Sequence, residues 1–261
     1  MRYIKIYNKL LQLNFSGLTT YRSNFINNII SSIAWGFFSL YSIVILTSHT
    51  TNAFGWKREE ILLFNGIYGI IIGIYHMFLS INMRRLSHVL RWGELDLILV
   101  KPLDSQVALS FWWVDFSMVL RVFMSVGYTV WFVVQLQLTI SPVQMVSTVG
   151  LAIFALILLY SIWYIALTSL VWFPNLSNLV ILLFSFESLA RFPKEVAQQL
   201  ISYIFLILLP LTLVINTPTR LLLNRVTLLE VIELIVLSVG LLYVSRVFWK
   251  FALRYYTSAS S

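Results

Sequence analysis

Long apolar stretches of about 20 residues recur along this chain, and they limit its fold more than any other feature. Hydrophobic residues make up 59% of the 261 residues and charged residues only 11%, whereas soluble domains carry about 25% charged residues. So few charges cannot cover the surface of a water-soluble fold, but a lipid bilayer solvates apolar side chains. The chain is therefore predicted to be an all-α polytopic membrane protein, with one transmembrane domain over residues 1–261.

Six membrane spans are predicted from these stretches. Four of them cover about residues 25–47, 61–80, 175–190 and 228–248, and the third and fourth lie within about residues 107–138 and 145–173. Ser141 and Pro142 mark the turn between the third and fourth spans, and the fifth span is short. Residues 1–22 place apolar side chains at helical spacing and lysines on another side, which predicts an amphipathic helix in the membrane interface.

Residues 193–225 have two interpretations. The apolar run within 196–215 is broken by Pro210, and Pro218 follows it. The run is either a seventh full span or a segment that enters the membrane and returns, since non-helical backbone at membrane depth must be buried in protein or line a wet cavity. A re-entrant segment on the extracellular side leaves more Lys and Arg in the cytoplasm, so we expect both termini to be cytoplasmic.

The longest polar stretch, residues 81–106, follows the second span and is predicted to be cytosolic. Three of its residues can form the apolar side of a short helix: Leu86, Val89 and Leu90. Gly93 interrupts this helix, and Pro102 breaks helical structure again before the third span. Composition leaves two alternatives open, a docking surface for a soluble partner and a plain solvated loop.

Motifs for catalysis and metal binding are absent from the sequence. It has no cysteine, and its three histidines are scattered without ligand spacing, so no metal site is expected. Neither a G-x-x-x-x-G-K-[ST] nucleotide-binding motif nor a hydrolase or metalloprotease motif occurs. We therefore expect a chain that is not an enzyme and carries no cofactor. The net charge of +8 is expected from cytoplasmic segments and does not indicate nucleic-acid binding.

Ionisable residues at membrane depth are the expected place for ion coupling. Asp115 and Arg121 lie in the predicted third span, and Glu187 and Arg191 lie at the end of the fifth. A spacing of six predicts that Asp115 and Arg121 point to different sides of a helix, whereas Glu187 and Arg191 can pair on one face. These charges are predicted to be interfacial or locally paired, and an ion-gradient-driven carrier remains the alternative function.

The order of these elements resembles the permease subunit of a bacterial type-2 ATP-binding-cassette (ABC) exporter. That family has an N-terminal interfacial helix, six spans, a coupling helix between spans two and three, and a re-entrant helical pair between spans five and six. The stretch RWGELDLILVKPL, residues 91–103, resembles the family pattern of a Gly-acidic-Leu step, Leu-rich residues and a basic-Pro step. The Pro-containing run over 206–218 resembles the re-entrant segment, and the layout covers nearly the whole chain.

The resemblance implies a function and partners. Two permeases, of the same or different chains, form a dimer in the bacterial cytoplasmic membrane, and a separate ATPase dimer binds ATP and Mg and drives efflux. The residues implied in ATPase coupling are Met83, Arg84, Arg85, Leu86, Val89, Leu90, Arg91, Gly93, Glu94, Asp96 and Pro102. A path lined by aromatic residues and Leu would suit an amphipathic drug, a lipid or a peptide.

Overall fold

A computed structural model describes residues 2–20, 22–48, 52–53, 55–174, 176, 178–195 and 205–257. The α-helices in these residues are α1 (Arg2–Thr20), α2 (Arg22–Leu46), α3 (Arg58–Tyr75), α4 (Ile81–Trp92), α5 (Asp96–Leu99), α6 (Ser105–Ser110), α7 (Met118–Gln135), α8 (Pro142–Thr168), α9 (Leu179–Leu189), α10 (Phe205–Leu222) and α11 (Leu228–Ala252). A π-helix joins α3 to α4 over His76–Ser80, and a 3₁₀ turn over Ser169–Val171 extends α8. Two-residue strands, β1 (Asn52–Ala53) and β2 (Trp56–Lys57), pair antiparallel before α3. The chain is thus an all-α polytopic membrane protein, as predicted.

Helix length separates the membrane spans from the shorter elements. Five helical stretches in the described part of the chain are long and apolar enough to cross a membrane: Arg22–Leu46, Arg58–Trp92, Met118–Gln135, Pro142–Val171 and Leu228–Ala252. Helix α9, where the fifth of six spans was predicted, has 11 residues and is about 16 Å long, roughly half the hydrocarbon thickness. Asn175, at the predicted start of that span, lies outside the described residues, as do Met1 and Tyr21 of the predicted interfacial helix.

The second span continues well past its predicted end. Helices α3 and α4 and the π-helix between them form one stretch of 35 residues, Arg58–Trp92. Such a helix is about 52 Å long, against about 30 Å of hydrocarbon. The prediction that residues 81–106 form a loop with a separate short helix was therefore wrong in its first half. No Gly or Pro lies between Gly73 and Gly93 to end the helix.

The candidate third span, Met118–Gln135, lies within the predicted residues 107–138, but its helix does not reach back to Asp115 as the sequence predicted. Residues 111–117 separate α6 from α7 without forming a helix. The buried side chain of Asn82 accepts from the Trp113 amide at 2.9 Å and donates to the Trp113 carbonyl at 2.8 Å. The amide of Asp115 donates to the carbonyl of Met77 at 2.8 Å. These bonds replace those that a helix would have supplied.

Side chains from two other helices complete the hydrogen bonding of the broken segment. Asn14 in α1 donates to the Trp112 carbonyl at 3.0 Å, and Ser32 in α2 donates to the Ser117 carbonyl at 2.9 Å. Unsatisfied backbone groups cost several kcal/mol each in the bilayer, so a break at this depth is stable only where protein groups replace water. The break therefore fixes α1, α2 and α4 around the start of α7.

Small residues bring α3 against α7. Gly66, Gly69 and Gly73 share one face of α3 at a spacing of three and four residues. A Cβ atom at these three positions would lie 2.4, 2.4 and 2.7 Å from the nearest side-chain atoms of Thr129, Ser125 and Val122, respectively. Glycine lets helix backbones approach closely in membranes, where packing replaces the hydrophobic driving force. Close packing of complementary helix surfaces therefore holds spans two and three together.

Residues 193–225 begin and end at the same end of the bundle. The Lys194 amide donates to Asn216 Oδ1 at 3.2 Å, and the Lys194 ammonium pairs with Glu230 in the first turn of α11. Arg220, near the end of α10, pairs with Glu230 at 2.7 Å. A re-entrant segment requires such an arrangement, although residues 196–204, where the chain would turn, lie outside the described residues.

Arg225 joins the same end of the bundle to the second span. Its guanidinium makes two bonds to Glu60 in the first turn of α3, Nη2 to Oε1 at 2.8 Å and Nη1 to Oε2 at 3.0 Å. We call this the Glu60 end. The opposite end, where α4 stops, is called the Gly93 end.

Substituting Gly69 tests the packing of α3 against α7. We expect Gly69→Val to lower the free energy of unfolding by about 1–3 kcal/mol, because overpacking forces the two helices apart. The measurement is the melting temperature of the purified protein in detergent. Gly127→Val is the matched control, because no atom lies within 4 Å of a Cβ at Gly127. Equal losses in the two variants would mean that close packing at Gly69 is unimportant.

Candidate functional site

The Gly93 end carries an exposed turn between the second and third spans. Helix α4 stops at Trp92 because Gly93 adopts the left-handed conformation, φ 70°, that glycine tolerates without strain. The Glu94 amide then donates to the Val89 carbonyl at 3.0 Å. The predicted interruption at Gly93 is thus confirmed. We call residues 91–101 the tip.

The apolar residues assigned to ATPase coupling face into the protein. Met83, Leu86, Val89 and Leu90 are all buried. Helical periodicity predicted one apolar side for this stretch, and the structure confirms it. These four residues therefore position the tip and do not form its surface.

The three arginines assigned to coupling have different surroundings. The Arg84 guanidinium lies 5.6 Å from the Phe184 ring centre, and that of Arg85 lies 5.4 Å from the Trp113 ring centre. Both are cation–π contacts within the chain. All three arginines are exposed, and Arg91 is the one that lies at the tip. The sequence alone could not separate these three positions.

The remaining coupling residues shape the turn. Glu94 Oε2 lies 3.6 Å from Nδ1 of His88, and both side chains are substantially exposed. Asp96 begins the short helix α5, and Pro102 lies in the bend before α6. Their predicted role in docking is not tested by these positions.

Sequence reasoning missed the apolar residues that the tip exposes. Trp92, Leu97 and Val100 are 70%, 69% and 80% exposed. The sequence signal for this exposed set was Trp92, which immediately precedes Gly93 at the end of the helix. Trp92 does not share the apolar side that the preceding helix residues form.

A salt bridge ties the segment after the tip to the last span. Arg246 in α11 pairs with Asp104, with one bond from Nη1 to Oδ1 of 2.6 Å. Asp104 also caps α6 by accepting from the Val107 amide at 3.1 Å. The hydrogen bond from Arg246 lowers the pKa of Asp104, with the Val107 amide acting in the same direction. The salt bridge therefore persists at neutral and mildly acidic pH.

Further hydrogen bonds connect α6 to spans four and six. Gln106 Nε2 donates to the Tyr160 hydroxyl of α8 at 3.0 Å. The indole of Trp249 donates to Ser105 Oγ at 3.0 Å. At the tip itself, the Tyr256 hydroxyl donates to the Gly93 carbonyl at 3.3 Å. These bonds would thus transmit a displacement of the tip to α8 and α11.

A polar cavity of about 650 Å³ lies above the tip, between α2, α3, α7 and α9. Asp115 and Arg121 both line it, so the prediction that they point to different sides of one helix was wrong. The reason is the break at 111–117: Asp115 lies in the non-helical segment, and Arg121 lies one turn into α7. Glu187 and Arg191 line the same cavity.

Glu187 contacts His76 and does not pair with Arg191 as predicted. Glu187 Oε1 lies 2.7 Å from Nε2 of His76, the first residue of the π-helix. Arg191 instead stacks on Phe192, 5.0 Å from the ring centre. His76 and Glu187 are 111 positions apart, so local spacing could not indicate their contact. Sequence reasoning likewise missed Asn82, whose partners are described above.

Residues suited to metal binding are not clustered. In the part of the chain that the structure describes, no group of three or more His, Asp or Glu side chains could hold a metal ion.

Comparison with known proteins identifies the family. The profile described as ABC-2 family transporter protein matches residues 33–260, nearly the whole chain and all five candidate spans except the start of the first. No curated protein and no solved structure matches the chain. The family match agrees with the resemblance noted from the order of spans and from residues 91–103. The chain therefore belongs to the ABC-2 family, as a multi-pass membrane permease of an ABC transporter that associates with an ATPase partner.

Proposed function

We propose that this chain is the permease of an ATP-driven exporter in the bacterial cytoplasmic membrane, with both termini cytoplasmic, and that the ATPase docks on the tip. The permease would act as a dimer with a second copy or a related chain. The observation that carries the proposal is the 35-residue helix Arg58–Trp92. It is about 20 Å longer than the hydrocarbon is thick, which supports a second span whose end extends out of the bilayer, on the cytoplasmic side in the proposed orientation.

The surface of the tip suits a protein partner. Trp92, Leu97 and Val100 form an exposed apolar set, with the exposed basic residues Arg91 and Lys101 beside it. Exposed apolar groups with a polar rim are typical of protein interaction sites, and Trp and Arg are the residues that most often carry binding energy. The same turn holds Glu94 and Asp96, so an ATPase groove with apolar walls and edges of both charges would complement this surface.

The contacts behind the tip provide a path for the power stroke. Force on the tip acts directly on the second span, whose helix is continuous with it. The Asp104–Arg246 pair and the Gln106–Tyr160 bond pass the same displacement to α11 and α8. No nucleophile is needed in this role, because ATP hydrolysis takes place on the partner.

Substitutions at the tip test docking. We expect Trp92→Ala and Leu97→Asp each to reduce recovery of a co-expressed ABC ATPase by about ten-fold or more, because central apolar anchors commonly contribute 2 kcal/mol or more. The measurement is quantitative co-purification in mild detergent. Thr139→Asp is the control, because Thr139 is exposed in the loop between α7 and α8 at the Glu60 end. Unchanged recovery with Leu97→Asp would remove the tip as the docking surface.

The absence of cysteine allows a direct test of orientation. Single cysteines at Leu97 and Thr139 would lie at opposite ends of the bundle. We expect a membrane-impermeant maleimide to label Thr139→Cys in intact cells and Leu97→Cys only after lysis. Labelling in the reverse order would place the tip outside the cell, where no ATPase could reach it.

The buried His76–Glu187 pair favours a second candidate, a carrier driven by the proton gradient, because paired ionisable groups at membrane depth are typical of proton relays. The two functions respond differently to energy sources. With an exported dye as readout, we expect ATP depletion to stop transport and a protonophore, at constant ATP, to leave it within about two-fold. Transport that a protonophore abolishes at constant ATP would support the carrier.

A further inference from the structure

Three arginines share the polar cavity without an acidic partner. Arg84, Arg121 and Arg191 reach it from α4, α7 and the end of α9. Among the described residues, none of the three guanidinium groups is in an ion pair (the seven ion pairs involve other residues). The Nε atom of Arg191 is buried and has no hydrogen-bond partner. The cavity therefore presents three guanidinium groups with which neither of its carboxylates forms an ion pair.

The two carboxylates of the cavity are already engaged. Asp115 Oδ1 accepts from the amide of Ser117 at 3.1 Å and from its hydroxyl at 2.5 Å. Glu187 Oε1 contacts His76 at 2.7 Å. Three arginines against two carboxylates leave an excess of positive charge, and His76 adds to it when protonated. The second oxygen of Glu187 is buried without a partner and can accept from a hydroxyl.

The cavity extends along the second span from Tyr68 to Arg84, which is about 24 Å of helix. Arg121 and Arg191 are partly buried, whereas Arg84 is exposed, so the excess charge is costly chiefly at Arg121 and Arg191. Cationic groups at such depths are rare and pair with anions or line functional pathways, because hydrocarbon cannot solvate them. An anion in the cavity would supply the missing acceptors.

The walls of the cavity indicate a ligand with an apolar part as well. Trp35 and Phe38 line it from α2, and Phe184 lines it from α9. Trp35 and Phe38 are largely exposed in the single chain, at 64% and 59%, so the wall they form continues onto the outer surface of α2. An acyl chain could follow this wall outward while its head group remained among the arginines.

We propose that the polar cavity binds an amphipathic anion, with a phosphate or carboxylate head held by Arg84, Arg121 and Arg191 and an apolar tail against Trp35, Phe38 and Phe184. Two sources share this chemistry, a resident phospholipid and a transported amphiphile. Binding of the anion is independent of the proposed function, whereas the interpretation of the anion as a transported substrate rests on that function. A phosphate that also carries hydroxyl groups would use the free oxygen of Glu187.

Binding is tested on the purified permease in maltoside micelles. The probes are dioleoylphosphatidylglycerol and dioleoylphosphatidylcholine, and the readouts are bound lipid by native mass spectrometry and the melting temperature. We expect phosphatidylglycerol to bind and raise the melting temperature more than phosphatidylcholine does. Arg121→Gln and Arg191→Gln should each weaken phosphatidylglycerol binding by about ten-fold, because each removes charged hydrogen bonds to the head group.

Matched variants separate binding from folding. Arg254→Gln removes one positive charge from the exposed C-terminal region and should bind phosphatidylglycerol as the unmodified chain does. Arg121→Lys keeps the charge and should retain most of the binding. If Arg121→Gln has a lowered melting temperature without lipid, phosphatidylglycerol binding is compared between Arg121→Lys and Arg191→Gln instead. That comparison then tests the proposal. Equal binding of the two lipids, or full binding in Arg121→Gln and Arg191→Gln, would overturn the proposal.

The assembled transporter distinguishes the two sources. Dodecyl phosphate, a single-chain anion that is not a membrane lipid, is added to the permease–ATPase complex. Stimulation of ATP hydrolysis that is lost in Arg121→Gln supports a transported amphiphile, whereas lipid binding without stimulation supports a resident phospholipid. Anion binding by a permease that recruits no ATPase would contradict the proposed function alone, and ATPase recruitment without anion binding would contradict this inference alone.

Discussion

A helix longer than the membrane is thick determines how this protein is built. The stretch Arg58–Trp92 is the most buried of the five candidate spans, so the other helices are arranged around it. Its first turn is joined to Arg225 at one end of the bundle, and its last turn presents the tip at the other. One continuous helical stretch therefore connects the two ends of the bundle.

The third span lies next to this long helix, and the chain is interrupted just before it. The residues from 111 to 117 leave the helix where Asn14, Ser32 and Asn82 take over their hydrogen bonds. A continuous helix would have kept Asp115 and Arg121 apart, whereas the interruption brings both to one cavity. The same feature thus supplies a polar compartment inside an otherwise apolar bundle, and it does so with neutral side chains from three different helices.

Local physics made part of this structure predictable. Apolar stretches indicated most of the spans, helical spacing indicated that Leu86, Val89 and Leu90 share a buried side, and Gly93 marked the end of the helix. The break before the third span could not be foreseen, because FWWVDFS over residues 111–117 is nearly as apolar as a span. Its stabilising partner Asn82 lies 31 positions from Trp113, and no local pattern records such a contact.

The candidate site was predictable in position more than in detail. The family resemblance indicated the stretch that carries the tip, but it did not distinguish the arginines that stack on aromatic rings from the one that lies at the tip. The contact between His76 and Glu187 depends on where α9 packs against the second span. Such contacts arise from tertiary packing, and periodicity within one helix contains no information about them.

The π-helix at His76–Ser80 has a consequence for the geometry of the whole assembly. A π-turn accommodates one extra residue, and each residue of an α-helix turns the chain by about 100°. All side chains beyond Ser80 are therefore rotated relative to those before Tyr75, compared with a regular helix of the same sequence. The five residues of the π-helix therefore add a fixed rotation to the helix. This rotation determines the direction in which Trp92 and Leu97 point away from the bundle.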